Sequence, residues 1–159
     1  MKPAARIAVP LVAVAALAGC AHSPSTAAIV GDKVISEAEV TEAVNSCRKI
    51  NPQIKRLDVL FPLILGEIAD EVSPKLGRTI DAARLRAAME ADPDASQAFG
   101  TPCQKVVEGE LKMRYLQASV DVEAVLQELP RVEINPRYGA WSPRGIDRRG
   151  GSISVETKS

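Results

Sequence analysis

Aromatic side chains make up only 3% of this chain, with one Trp, two Tyr and two Phe. Any core must therefore be built from aliphatic residues. Histidine occurs once, as His22. It sits in a small polar stretch with no scaffold around it, whereas a Ser-His-Asp or Cys-His site needs a positioned base. An excess of one charge is also missing, because 20 basic residues face 20 acidic ones. That balance removes the electrostatic case for a nucleic-acid partner, which requires a basic face. The apolar run at residues 7–17 is shorter than the roughly 20 residues that span a bilayer. No phosphate-cradling Gly loop and no zinc-ligand spacing occurs. Asp92 and Asp94 lack the oxygen ladder and the Gly of a calcium loop and read as a turn. Glu67, Asp70 and Glu71 share one helix and read as a solvated face. No catalytic residue, cofactor or metal is expected.

What is present begins at the N-terminus. Met1-Lys2-Pro3-Ala4-Ala5-Arg6 is a positively charged start, followed by the apolar run and then small residues. This is the pattern of a secretory signal peptide at residues 1–19. Leu17-Ala18-Gly19-Cys20 resembles the lipobox of bacterial lipoprotein precursors. The resemblance implies that Cys20 receives diacylglycerol and becomes the first mature residue. The protein would then be anchored to the cell membrane, facing outside the cytoplasm, and two acyl chains suffice for stable anchoring. Residues 20–26 are small and polar and read as a lipidated tether. The remaining length suits one compact domain.

Within that domain, Ala27-Ala28-Ile29-Val30, Gly31-Asp32 and Lys33-Val34-Ile35 form a hairpin pattern, with Gly first in a two-residue turn. Ser36 with Glu39 three residues on predicts a capped helix start. Val40, Ala43, Val44 and Cys47 continue it at helical spacing, and Asn51-Pro52 ends it. A second helix is expected from Asp58 or slightly later, because Pro62 is tolerated only in a first turn. Leu57, Leu60, Phe61, Ile64, Ile68 and Val72 form its apolar face, and Ser73-Pro74 or Leu76-Gly77 closes it. Asp81 caps a third helix to about Ala91, with Ala82, Leu85 and Met89 inward. Asp92-Pro93-Asp94 reads as a break. The fourth helix is expected over residues 102–119, burying Val106, Val107, Leu111, Tyr115 and Ala118. Asp121 to Leu129 reads as a short fifth helix ending at Pro130. Arg131-Val132-Glu133-Ile134-Asn135 alternates as a strand does. The fold class is therefore mainly α: four to five helices with a small β-sheet formed by the N-terminal hairpin and a C-terminal strand.

Arg131, Arg137, Arg144, Arg148 and Arg149 enrich the C-terminal stretch in charge. They read as a solvated tail rather than a lipid-binding patch. Residues 142–159 are expected to be a flexible tail, although Ser152-Ile153-Ser154-Val155 could extend a sheet. With Cys20 lipidated, Cys47 and Cys103 are left as the two cysteines of a secreted domain. That compartment permits oxidation, so a Cys47–Cys103 disulfide is expected.

Two stretches resemble the N-terminal domain of SurA-like chaperones and related foldase lipoproteins. The first runs Ala27-Ala28-Ile29-Val30-Gly31-Asp32-Lys33-Val34-Ile35-Ser36-Glu37-Ala38-Glu39-Val40, where family members often carry Asn-Gly at the turn. The second is Val132-Glu133-Ile134-Asn135-Pro136-Arg137-Tyr138-Gly139-Ala140-Trp141. The resemblance covers most of residues 27–141 and implies that the two stretches pair across the helices, with Trp141 packed against the closing strand. It also implies a holding role for unfolded or partly folded secreted proteins, in an apolar groove between helices. Enzymatic members insert a parvulin domain before the closing strand. Here Leu129-Pro130 leads straight into it, so isomerase activity is not expected. An accessory lipoprotein with one specific envelope partner is the alternative reading, and a prolyl isomerase-related foldase is another.

Overall fold

The computed structural model describes residues 23–142 and 144–148. The signal segment, Cys20, His22, Arg149 and Ser152-Ile153-Ser154-Val155 lie outside the described residues.

Strand β1 (Thr26–Val30) turns through Gly31-Asp32 into β2 (Lys33–Ser36). Val30 faces Lys33, which leaves the expected two-residue loop. Gly31 takes a φ of 53°, a conformation glycine enters without the Cβ penalty. The other edge of β1 pairs antiparallel with β3 (Val132–Ile134), Ala28 opposite Ile134. The sheet order is β2-β1-β3, so the two ends of the domain meet on a buried central strand.

Local signals start and stop most helices. At α1 (Glu37–Cys47) the Ser36 hydroxyl accepts the Glu39 N–H at 3.0 Å. The Glu39 carboxylate does not return the bond but meets Lys105 at 2.7 Å. Helix α2 (Arg56–Lys75) begins ahead of the expected start, which puts Pro62 in its second turn. Pro62 has no N–H to give the Asp58 carbonyl. The helix continues because Val59, Leu60, Leu63, Ile64, Ile68 and Val72 are all buried along it. It ends where Arg78 N–H reaches the Ser73 carbonyl at 2.8 Å and Gly77 N–H reaches Pro74 at 3.1 Å. With Gly77 at φ 64°, this is a Schellman cap.

Asp81 caps α3 (Ala82–Glu90) through the Ala83 N–H at 2.8 Å. Leu85 and Met89 are buried, whereas Ala82, expected inward, is exposed. The break expected at Asp92 instead holds a one-turn helix, α4 (Pro93–Ser96). Asp92 Oδ1 accepts from both Asp94 and Ala95 N–H, at 2.9 and 3.1 Å. Helix α5 (Gln104–Ser119) starts two residues after Pro102, and α6 (Val122–Gln127) follows its Asp121 cap. The fold is mainly α as expected, with six helices among the described residues because of α4.

Helices α2 and α5 form the central pair. They meet at two glycines: a Cβ on Gly66 would lie 3.1 Å from the Gly109 Cα. This approach turns Val106, Gly109, Met113 and Leu116 inward. The expected buried face is corrected accordingly. Val106 is buried, but Val107, Leu111 and Tyr115 are only half-buried and Ala118 is exposed.

After β3, buried Asn135 donates through Nδ2 to the Thr26 carbonyl at 3.0 Å. Its Oδ1 accepts the Arg137 N–H at 3.2 Å and so caps the 3-10 turn Pro136–Tyr138. Gly139 follows at φ 119°, pressed against the Asp147 backbone. Strands β4 (Ala140–Ser142) and β5 (Gly145–Asp147) then form a second hairpin. Defined structure therefore extends to Asp147, past the domain boundary expected at 141. The Trp141 ring lies 6.0 Å from that of Phe61 on α2, a partner the sequence does not point to.

Candidate functional site

Helix α5 carries two apolar stripes. The stripe through Gly109 enters the core. The second stripe, Val107, Leu111 and Tyr115, recurs every fourth residue and remains half-exposed. One neighbouring helix cannot cover both stripes. Ala88 of α3 and Ala95 of α4 line an opening along this stripe, which is therefore only partly covered.

The groove has two adjoining sections. One encloses about 450 Å³ and is floored by Ile50, Ile54, Ala95, Val106 and Val107. The other, about 240 Å³, extends along Leu111 to Tyr115, with Ala88 on the α3 wall. Asp92, Ala95, Val107 and Glu110 belong to both. Tyr115 is held from behind by Arg84, whose guanidinium sits 4.9 Å from the ring centroid.

Cys47 and Cys103 lie in the wall of the larger section. They end α1 and precede α5, with Cα atoms 5.0 Å apart and sulfurs at disulfide distance. The expected pairing is thus the one the fold brings together. Both residues are buried.

The rim of this section is acidic. Asp58, Asp92, Asp94 and Glu110 line it, and no Lys, Arg or His does. Asp58 accepts the Lys55 N–H at 2.9 Å, and Asp92 is used as the α4 cap. The carboxylates of Asp94 and Glu110 have no hydrogen-bond or ion-pair partner among the described residues. Arg114 stands at the far end of the groove, beside Tyr115.

A larger cleft of about 680 Å³ opens on the other side of α3, lined by Ile80, Leu85, Arg86, Phe99 and Lys112 among others. Its polar groups are already paired. Lys112 meets Asp70 at 2.6 Å, Gln104 donates to Glu108 at 2.7 Å, and Arg86 holds Glu90 at 3.0 Å while lying over Phe99. Glu71 likewise pairs with Lys75 at 2.9 Å. Asp70 and Glu71 of α2 thus serve as surface ion-pair partners.

A separate polar cluster ties the closing turn to the helices. Glu37 Oε2 accepts from Arg56 at 2.6 Å and from the Tyr138 hydroxyl at 2.8 Å. Arg56 Nε donates to the Tyr138 oxygen at 3.0 Å. The Tyr138 hydroxyl titrates above its ordinary value, first because it is buried and then because it donates to Glu37. The Arg56 guanidinium is pushed up by its hydrogen bond to Tyr138. Arg137 reaches back to the Pro24 carbonyl at 3.2 Å, and Arg131 pairs with Glu133 at 2.7 Å. Arg144 and Arg148 are exposed.

The groove floor escapes a sequence reading because Val107, Leu111 and Tyr115 look like core. The available signal is the second stripe itself, which exceeds what one packed face requires. No helix among the described residues is long and apolar enough to cross a membrane. Among the described residues no cluster of three metal-ligating side chains occurs. No family model, curated protein or solved structure matches the chain.

Proposed function

We propose that this chain is a non-enzymatic, chaperone-like protein that holds unfolded or extended polypeptide segments outside the cytoplasm, tethered to the membrane by lipid on Cys20. The observation that carries this reading is the half-exposed stripe Val107, Leu111 and Tyr115 flooring an open groove. Apolar contact is non-directional and suits many sequences. An open groove accepts an extended chain, whereas a sealed cavity would suit a lipid.

The SurA-like stretches support the same reading. Their hairpin and their Asn-Pro-Arg-Tyr-Gly turn close this domain around its helices. Only residues 128–131 join α6 to β3, which leaves no room at that point for a parvulin domain.

The test is an aggregation assay with two dissimilar unfolded clients. The full chain at stoichiometric excess should slow both, and Leu111→Lys should weaken the effect. Because Leu111 also packs against the core, a thermal melt of the variant separates loss of the groove from loss of the fold. Protection of neither client would sink the holding role. Protection confined to one client would favour an accessory lipoprotein with a single partner. Acceleration of a proline-limited refolding reaction, with contaminating isomerases excluded, would overturn the non-enzymatic part.

A further inference from the structure

The geometry points to a selective occupant for the groove: an extended polypeptide segment in which Lys or Arg residues alternate with aliphatic ones. This inference rests on the holding role proposed above and adds the class of client.

The argument comes from the pairing of floor and rim. The floor beside the Cys47–Cys103 pair is aliphatic, with Ile50, Ile54 and Val107 half-exposed. An occupant must therefore present aliphatic side chains to it. The rim of this section adds four carboxylates and no basic group, Arg114 lying in the adjoining section by Tyr115. In a chain with no net charge, this is a local concentration of negative charge. Two of the four, Asp94 and Glu110, have no partner among the described residues. The larger cleft differs in this respect, since Lys112–Asp70, Gln104–Glu108 and Arg86–Glu90 satisfy one another there.

In an extended strand, successive side chains point to opposite sides and neighbours on one side lie about 7 Å apart. Such a segment can lay alternate aliphatic residues on the floor while its intervening cations reach the rim. Long Lys and Arg side chains suit this, because their methylene stems cover apolar surface and their charged ends stay in water. A segment bearing Glu in those places would set like charges against the rim, which is how such a groove would reject clients.

The experiment is a fluorescence anisotropy titration of the full chain with two labelled peptides. One alternates Leu and Val with Lys. The other carries Glu at every Lys position. The Lys peptide should bind about tenfold more tightly at low salt, and about 0.5 M salt should remove most of that difference. The double variant Asp94→Asn/Glu110→Gln should weaken the Lys peptide about fivefold and leave the Glu peptide unweakened. Glu90→Gln, outside the groove, should change neither.

Equal binding of the two peptides, or an unchanged affinity in the double variant, overturns the inference. Binding of neither peptide also overturns it. If aggregation protection persists in that case, the holding role survives at another surface, and if protection is absent too, both proposals fall. A concentration-dependent dimer that Leu111→Lys abolishes would assign the groove to a second copy of the chain and likewise overturn the inference.

Discussion

Gly66 of α2 and Gly109 of α5 touch backbone to backbone, and this contact sets which side of α5 faces the core. A side chain on Gly66 would come within 3.1 Å of the Gly109 Cα, and one on Gly109 would run into the Pro62 carbonyl. Two helices can approach this closely only where neither carries a Cβ at the crossing.

Gly109→Ala should therefore destabilise the protein by about 2 kcal/mol, because overpacking outweighs the roughly 1 kcal/mol that Ala gains over Gly in a helix. Gly66→Ala should cost less, since its nearest contact is less severe. Urea denaturation of both variants measures the order. A Gly109→Ala protein as stable as the parent would show that the two helices separate without loss.

Loss of the Cys47–Cys103 pair should cost about 4 kcal/mol by chain-entropy arithmetic for the 56-residue separation. Non-reducing mass spectrometry of the folded protein, prepared without reductant, should find neither thiol alkylatable. The double variant Cys47→Ala/Cys103→Ala should match the reduced parent in denaturant. Two alkylatable thiols in the folded parent would remove the bond from the account.

Tyr138→Phe should lower stability near neutral pH by about 1 kcal/mol, through loss of its bonds to Glu37 and Arg56. The folded-state pKa of Tyr138 is raised above its ordinary value of 10.0. Its contribution is therefore complete below that value and disappears as pH rises through the folded pKa. The stability gap between parent and variant should close above about pH 10. Thermal melts at neutral and strongly alkaline pH measure it, and a gap that widens with pH would reverse the assigned sign.

Cys20→Ala should move the protein out of the membrane fraction. The expectation comes from Leu17-Ala18-Gly19-Cys20 and from the requirement that two acyl chains hold a lipoprotein stably. Fractionation with metabolic lipid labelling reads both properties together. A variant that stays membrane-bound and still takes up label would rule out Cys20 as the anchor.

Much of the fold is legible in the sequence because its signals act within a few residues. Gly31-Asp32 turns the first hairpin, and Ser36 and Asp81 cap helices through N–H groups two or three positions away. The alternation through Val132 and Ile134 likewise marks the strand that joins β1. The Cys47–Cys103 pairing follows from counting, once Cys20 is set aside.

The orientation of α5 is different in kind. Val106, Met113 and Leu116 compete with Val107, Leu111 and Tyr115 for the core, and hydrophobicity does not separate the two stripes. Gly109 decides between them, through contact with Pro62 and Gly66 more than 40 positions earlier in the chain. Pro62 itself sits inside α2 because buried neighbours on that helix outweigh one missing hydrogen bond. The Glu37–Arg56–Tyr138 cluster draws on three separate elements and has no local signature. The groove comes from the same packing choice: the stripe turned away from the Gly66–Gly109 crossing is only partly covered, so Val107 and Leu111 pack against the core on one side and line the opening on the other.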